Sequence, residues 1–323
     1  MFERVELLVL YSAVAGVLVL ALIRVWRIGR PSVRFALWLI PLALPVLCEV
    51  VLPPLLPFRE TEVFRDGWAL FSLSRWRAFR MLGLSADQLL FAAAASAGLL
   101  LYLRDAVPFL VAGRSPRAGE GAGTAPPGVG ALVTELSRAL SIPEPEVRYL
   151  DRPTPVLYCE GFLRPRLVVS RGAVAALDAE ELRAALAHEM GHVTRKDPAF
   201  GWALLGVRTL LFFDPVAQLA ARAAVLEAER DADERAVRLT GRPLVLASAL
   251  ARLHEAQRGR ASPLPQWSAF ARTATLLRQG RIRPLRQRLR RLIDGAPPSL
   301  PGEGLAQVVL AVVGLALLLS FVT

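Results

Sequence analysis

Residues 181 to 198, Glu181-Leu182-Arg183-Ala184-Ala185-Leu186-Ala187-His188-Glu189-Met190-Gly191-His192-Val193-Thr194-Arg195-Lys196-Asp197-Pro198, carry an H-E-x-x-H inside a helical period. Two histidines four apart share one face of a helix. Both imidazoles can therefore reach one Zn²⁺, while the glutamate between them addresses the water that such an ion activates. Asp178 precedes Glu181 by three residues, the spacing of a capping box, so the helix is expected to start near 179. It is expected to end near Lys196, before Asp197-Pro198.

A hydrolytic zinc site takes three protein ligands, so a third must come from another segment. The next long helix is expected to be capped by Asp214, to hold Pro215 at its first position, and to stop at Gly241 and Pro243. It carries Glu227, Glu229, Asp231, Asp233 and Glu234. Glu229 and Asp233, one turn apart, suit a ligand and a carboxylate that sets the tautomer of a ligating imidazole. The competing reading is a solvated helix face balanced by Arg230, Arg235 and Arg238, and it loses weight beside the upstream motif. The chain has only 3 histidines, so an H-E-x-x-H by chance is rare. Glu189 is then the general base of a peptide-bond hydrolysis without a covalent intermediate. His254, Tyr158 and Arg238 are candidate donors to the oxyanion.

Outward from the motif the chain reads as membrane. Hydrophobic residues make up 54% of it and the mean hydropathy is +0.42, above the range of an ordinary soluble protein. The stretches 5–23, 35–57, 86–103 and 305–322 are apolar enough to be spans. A signal peptide does not suit the first, because Glu3, Arg4 and Glu6 mix charges in its flank and no small-x-small site precedes Arg24. Pro41, Pro45, Pro53, Pro54 and Pro57 predict a second span that is kinked or broken. Glu49 inside it is an intramembrane carboxylate, a candidate hydrogen-bond partner or sensing element, with a structural role or a position near the interface the favoured reading.

Arg24, Arg27, Arg30 and Arg34 crowd the link between the first two spans, which the positive-inside rule assigns to the cytoplasm. Arg59, Arg65, Arg75, Arg77 and Arg80 argue for the opposite side, but they are spread over a longer loop whose aromatic residues suit the interface. Alternation from the denser cluster puts 113–302 in the cytoplasm, in a cell's inner membrane. The net charge of +11 sits beside the spans, where it serves topology and anionic lipid, so the bilayer and no nucleic acid is the expected partner. Two cysteines, Cys48 and Cys159, make no disulfide framework, and Cys159 is expected in the core.

The expected organisation is three spans with an interfacial loop over 1–112 and a Gly/Pro/Ala-rich linker over 113–130. A metal-binding domain over 131–302 and a last span over 303–323 follow. Helices are expected at 131–140, 200–213, 244–258 and, basic and amphipathic, 278–291. A small sheet should form from Val147–Leu150, Val156–Tyr158 and Leu167–Val169.

The segments ELRAALAHEMGHVTRKDP, LLFFDPVAQLAARAAVLEAERDADERAV and GFLRPRLVVS are together similar to the BlaR/MecR-type membrane zinc peptidases, the fifty-sixth metallopeptidase family. The resemblance covers about 145–260. It implies a mainly α, multi-span helical membrane protein with a gluzincin-like α+β peptidase domain. It also implies His188, His192 and Glu229 as Zn²⁺ ligands, Glu189 as base, and Asp233 behind the ligands. The strand near Leu167–Ser170 is implied to pair with extended substrate. Ala232 departs from the cysteine frequent there, a feature closer to HtpX-like and CAAX-processing membrane peptidases. In the antibiotic sensors a penicillin-binding domain follows the last span, whereas this sequence stops at Thr323, so β-lactam sensing is not expected. The implied partners are a protein or peptide substrate and a separate sensor or regulator. The rival reading is a signal-transducing membrane protein that zinc organises without catalysis, and the presence of Glu189 disfavours it.

Overall fold

The computed structural model describes residues 2–70, 80–81, 84–111, 122–123, 125–161, 164–257, 282–295 and 304–322. Parts of the expected outer loop (71–79, 82–83), of the linker (113–121, 124) and of the basic segment (278–281) lie outside them. The helices in chain order are α1 (Phe2–Val25), α2 (Pro31–Leu55), α3 (Glu62–Gly67), α4 (Ala86–Val111), α5 (Pro127–Leu140) and α6 (Arg171–Ala176). There follow α7 (Ala179–Arg195), α8 (Asp197–Leu210), α9 (Pro215–Thr240), α10 (Pro243–Gln257), α11 (Ile282–Asp294) and α12 (Leu305–Leu319). The strands are β1 (Arg80–Met81), β2 (Leu84–Ser85), β3 (Ala122–Gly123), β4 (Glu146–Leu150), β5 (Leu157–Glu160) and β6 (Arg166–Ser170). The protein is mainly helical with a small sheet, as its periodicity predicts.

Two compact units divide the chain. One comprises Met1–Arg104, Val207–Glu227 and Pro298–Thr323, and the other Asp105–Gly206 and Ala228–Pro297. In the first, Arg4–Val25, Pro31–Leu55 and Ala86–Arg104 are long and apolar enough to cross a membrane. Its core joins Val19 and Ile23 of α1, Leu37, Ile40 and Leu44 of α2, and Ala311, Leu315 and Leu319 of α12. Gly98 of α4 lies so close to the Phe213 carbonyl that a Cβ there would collide with it. Asp214 caps α9 as expected, its Oδ1 accepting from the Val216 and Ala217 amides at 2.8 and 3.1 Å.

Two expectations change in this unit. α2 runs unbroken through Pro41, Pro45, Pro53 and Pro54. Pro45 has no N–H for the Pro41 carbonyl, and Ser12 Oγ of α1 donates to that carbonyl instead at 3.2 Å, so one proline defect is repaired from the neighbouring span. α12 has 15 residues, fewer than the apolar stretch 305–322. At 1.5 Å per residue it covers about 22 Å, short of the ~30 Å hydrocarbon thickness. Its end is set by Arg59, whose guanidinium takes the carbonyls of Ser320 (2.6 Å), Leu319 (3.2 Å) and Val322 (2.5 Å). Glu49 pairs with Arg4 at 3.6 Å. Arg34 of α2 pairs with the buried Glu227 of α9 at 3.0 Å.

In the second unit the sheet order is β3-β4-β6-β5, with β4 parallel to β6 and the other pairs antiparallel. The short strand β3 and the first turn of α5 arise inside the stretch read as linker without period. β6 is bonded on both sides, with Val147 and Cys159 flanking Leu167. The strand implied to pair with substrate therefore has no free edge, and β5 is the edge strand on that side. The core gathers Val133 and Leu136 of α5, Leu167 and Val169 of β6, Leu186 and Met190 of α7, Leu246 and Leu250 of α10, and Leu292 of α11. Cys159 is part of it, as expected.

Candidate metal centre

The capping box forms as its spacing predicts: the Glu181 amide donates to Asp178 Oδ1 at 2.8 Å, and the Asp178 amide donates to Glu181 Oε2 at 3.1 Å. It starts α7 at Ala179, so His188 and His192 fall on the buried side of the helix. α9 crosses this face at its closest between Gly191 and Ala232, where a Cβ on Gly191 would stand 3.2 Å from the Ala232 Cα. The fully buried Ala232 is thus the small residue that lets the two helices approach.

The approach brings Glu229 to the histidines. His188 Nε2 and His192 Nε2 are 3.3 Å apart, with perpendicular rings. Glu229 stands 3.8 Å from each, Oε2 towards His188 and Oε1 towards His192. All three side chains are buried, and their donor atoms fit within 4.8 Å of one another. A tetrahedral ion with bonds of ~2.0–2.1 Å sets its ligand atoms about 3.3 Å apart, so this two-nitrogen, one-oxygen set fits Zn²⁺ with small adjustments of Glu229. Asp233, one turn on, has Oδ1 3.0 Å from His188 Nδ1. That approach lies off the direction of a ring hydrogen bond, which leaves Nδ1 without an aligned partner.

Glu189 is partly exposed and accepts the Cys159 amide of β5 on Oε2 at 3.0 Å. Burial, with the negative charge of Glu189 nearby, pushes the Cys159 thiol well above its ordinary pKa, so this cysteine stays a neutral core residue. Among the oxyanion candidates, Tyr158 is buried and turns its hydroxyl towards Glu160 at 3.5 Å. Arg238 is exposed and faces Glu234 at 3.8 Å. His254 lies in the last turn of α10.

Two residues that sequence reading left out belong to the centre. Asp197, read only as punctuation after the helix, is buried with Oδ2 2.8 Å from His192 Nδ1. Burial lowers the pKa of His192, but the bond to Asp197 and the charge of Glu229 outweigh it and raise the imidazole to about 9. Arg288 of α11 is the other. Its Nε and Nη2 donate to the two Asp233 oxygens at 2.7 and 2.6 Å, and its Nη1 donates to Glu229 Oε2 at 2.6 Å. Burial would raise the Asp233 carboxyl, yet the Arg288 charge and hydrogen bonds hold it well below the usual carboxylate range. The signal for Arg288 was present: it shares the apolar stripe of α11 with Leu285 and Leu292, while Arg286 and Arg290 are exposed. The rest of the charge run on α9 is also paired, Asp231 accepting from Arg235 at 2.8 Å and from Arg195 at 3.0 Å.

A helical membrane protein thus carries a buried His-His-Glu cluster that could hold a metal ion, with a second glutamate beside it. Residues 149–277 match the family model of the BlaR1 peptidase M56, a range that contains all five site residues read from the sequence. The chain is also 31% identical over 163 residues to a Protease HtpX homolog of Methanothermobacter thermautotrophicus, covering 42% of this chain and 63% of that protein. A Protease HtpX homolog of Kineococcus radiotolerans is 33% identical over 163 residues, 39% of this chain and 55% of the relative. One of Pseudarthrobacter chlorophenolicus is 32% identical over 173 residues, 44% and 60%. The matches thus span less than two thirds of each relative's length. Over these residues the chain is thus similar to the BlaR1-type and HtpX-type membrane peptidases, the similarity its motifs also carry.

Proposed function

We propose that this chain is a zinc-dependent membrane endopeptidase that cleaves a protein substrate on the cytoplasmic side. Its task would be regulatory proteolysis, for example of a repressor, or clearance of misfolded membrane proteins. The observation that carries the reading is the convergence of His188, His192 and Glu229 beside Glu189. His188, His192 and Glu229 would hold Zn²⁺, which when bound polarises a carbonyl and makes water acidic near neutral pH. Glu189 has its Oε2 fixed by the Cys159 amide, and its other oxygen has no hydrogen-bond partner among the described residues. In that position it takes the proton of the attacking water and passes it to the leaving amine. A site that only organised structure would not need a carboxylate oxygen turned towards the donor set.

β5, an edge strand among the described residues, supports an extended substrate, because one of its amides already reaches the base and a substrate strand added there would lie alongside. Arg24 in the last turn of α1, with Arg27 and Arg30 between α1 and α2, supports a cytoplasmic placement of that connection. The test compares purified wild type with Glu189→Gln. Both should retain zinc, and the variant should cleave at least about 10²-fold more slowly, with the substrate drawn from proteins that accumulate in membranes of cells carrying the variant. Equal cleavage by the two would remove Glu189 from the role of base.

A further inference from the structure

Arg288 lies 55 residues beyond Asp233 on a separate helix, yet its side chain makes its polar contacts with the candidate centre. Its side chain is 3% exposed. It forks onto Asp233 with two donors, gives a third to Glu229 Oε2, and brings Nη2 to 3.4 Å from His188 Nε2. Two carboxylates one helical turn apart repel each other, and in a buried setting the repulsion is little screened. A guanidinium between them removes the repulsion and also fixes both orientations, because its donors lie in one rigid plane. With Oε2 engaged, Glu229 presents Oε1 towards His192 as a single-oxygen donor.

We infer that Arg288 is a positioning residue of the metal centre, setting Glu229 to offer one oxygen and holding Asp233 against His188, so that docking of α11 completes the site. The inference rests on the metal reading proposed above. Its consequence is that metal affinity depends on a helix that contributes no ligand.

The experiment uses the full chain in detergent, with zinc affinity from competition with a chelator and the visible spectrum of the cobalt-substituted protein as a coordination signature. Arg288→Gln should weaken zinc binding about 10–100-fold and alter the cobalt bands. Arg288→Lys, which keeps the charge and loses the fork, should fall between that variant and wild type. Arg286→Gln, on the exposed face of the same helix, should leave both readouts unchanged. A folded Arg288→Gln with wild-type zinc affinity and cobalt spectrum overturns the inference. If the glutamine variant does not fold, the lysine variant decides, and wild-type values for it overturn the inference equally. Should wild type bind no zinc, or bind it equally after His188→Ala, the metal reading itself fails, which is a distinct result.

Discussion

Arg59 and Arg288 are both buried arginines, one in each compact unit, and they are neutralised by opposite means. Arg59 is surrounded by the carbonyls of Leu319, Ser320 and Val322 and the hydroxyl of Tyr11, so it meets dipoles at a helix C-terminus. Arg288 meets two full negative charges, Glu229 and Asp233. The first arrangement finishes a helix where water is scarce. The second leaves charged groups poised around a buried donor set, and its removal would expose a carboxylate pair to itself. Burial of the same side chain therefore marks a structural cap in one unit and a tuned site in the other.

The comparison breaks first at Arg288. Arg288→Ala should destabilise the metal-free protein by about 3–5 kcal/mol, the cost of leaving buried partners uncompensated, with added zinc recovering part of the loss in a thermal melt. Arg59→Ala should cost less, about 1.5–3 kcal/mol for hydrogen bonds to a charged group, and its loss should be the same with and without zinc. A zinc-dependent Arg59 effect would erase the distinction between the two arginines. Asp197→Asn should lower zinc affinity about 10–100-fold by taking the charge from the partner of His192, as read by chelator competition.

The pH dependence sharpens the contrast, because the raised imidazole, His192, lies in the second unit, with the candidate metal centre. In the metal-free protein His192 titrates near 9, above its ordinary 6.5. The stabilisation from its protonated form is complete below about pH 6.5 and is lost as pH rises through about 9. Zinc must displace that proton, so its affinity should rise over the same interval. Melting midpoints of the metal-free protein and chelator competition between pH 6.5 and 9 check both signs. The smallest effect belongs to the membrane unit: Ser12→Ala should cost about 0.5–1.5 kcal/mol by orphaning the Pro41 carbonyl, visible in thermal unfolding and silent in zinc binding.

Much of the fold was legible because its signals are local. Asp178 with Glu181, Asp214 with Pro215, and Gly241 ahead of Pro243 mark helix ends through bonds made within a turn, and α7 and α9 begin where those residues predict. Of the kink or break expected in α2, no break occurs within Pro31–Leu55, and the donor that serves the Pro41 carbonyl comes from another helix. Asp197 was hidden by a backbone turn. Five residues beyond His192 in a continuing helix, it would lie about 140° round the axis, but Lys196 adopts a left-handed conformation with φ 57° and returns it to the imidazole.

The sequence by itself determined the apolar segments, the helices and the spacing that puts His188 and His192 on one face and Glu229 and Asp233 on another. Each of these follows from periodicity and capping, which act over a few residues. Tertiary structure alone decided that the two faces meet at Gly191 and Ala232, that β6 is interior and β5 the edge, and that Arg288 reaches the carboxylates from a distant helix. Those outcomes depend on contacts between segments far apart in the chain, where packing and charge compensation choose among partners that no local pattern distinguishes.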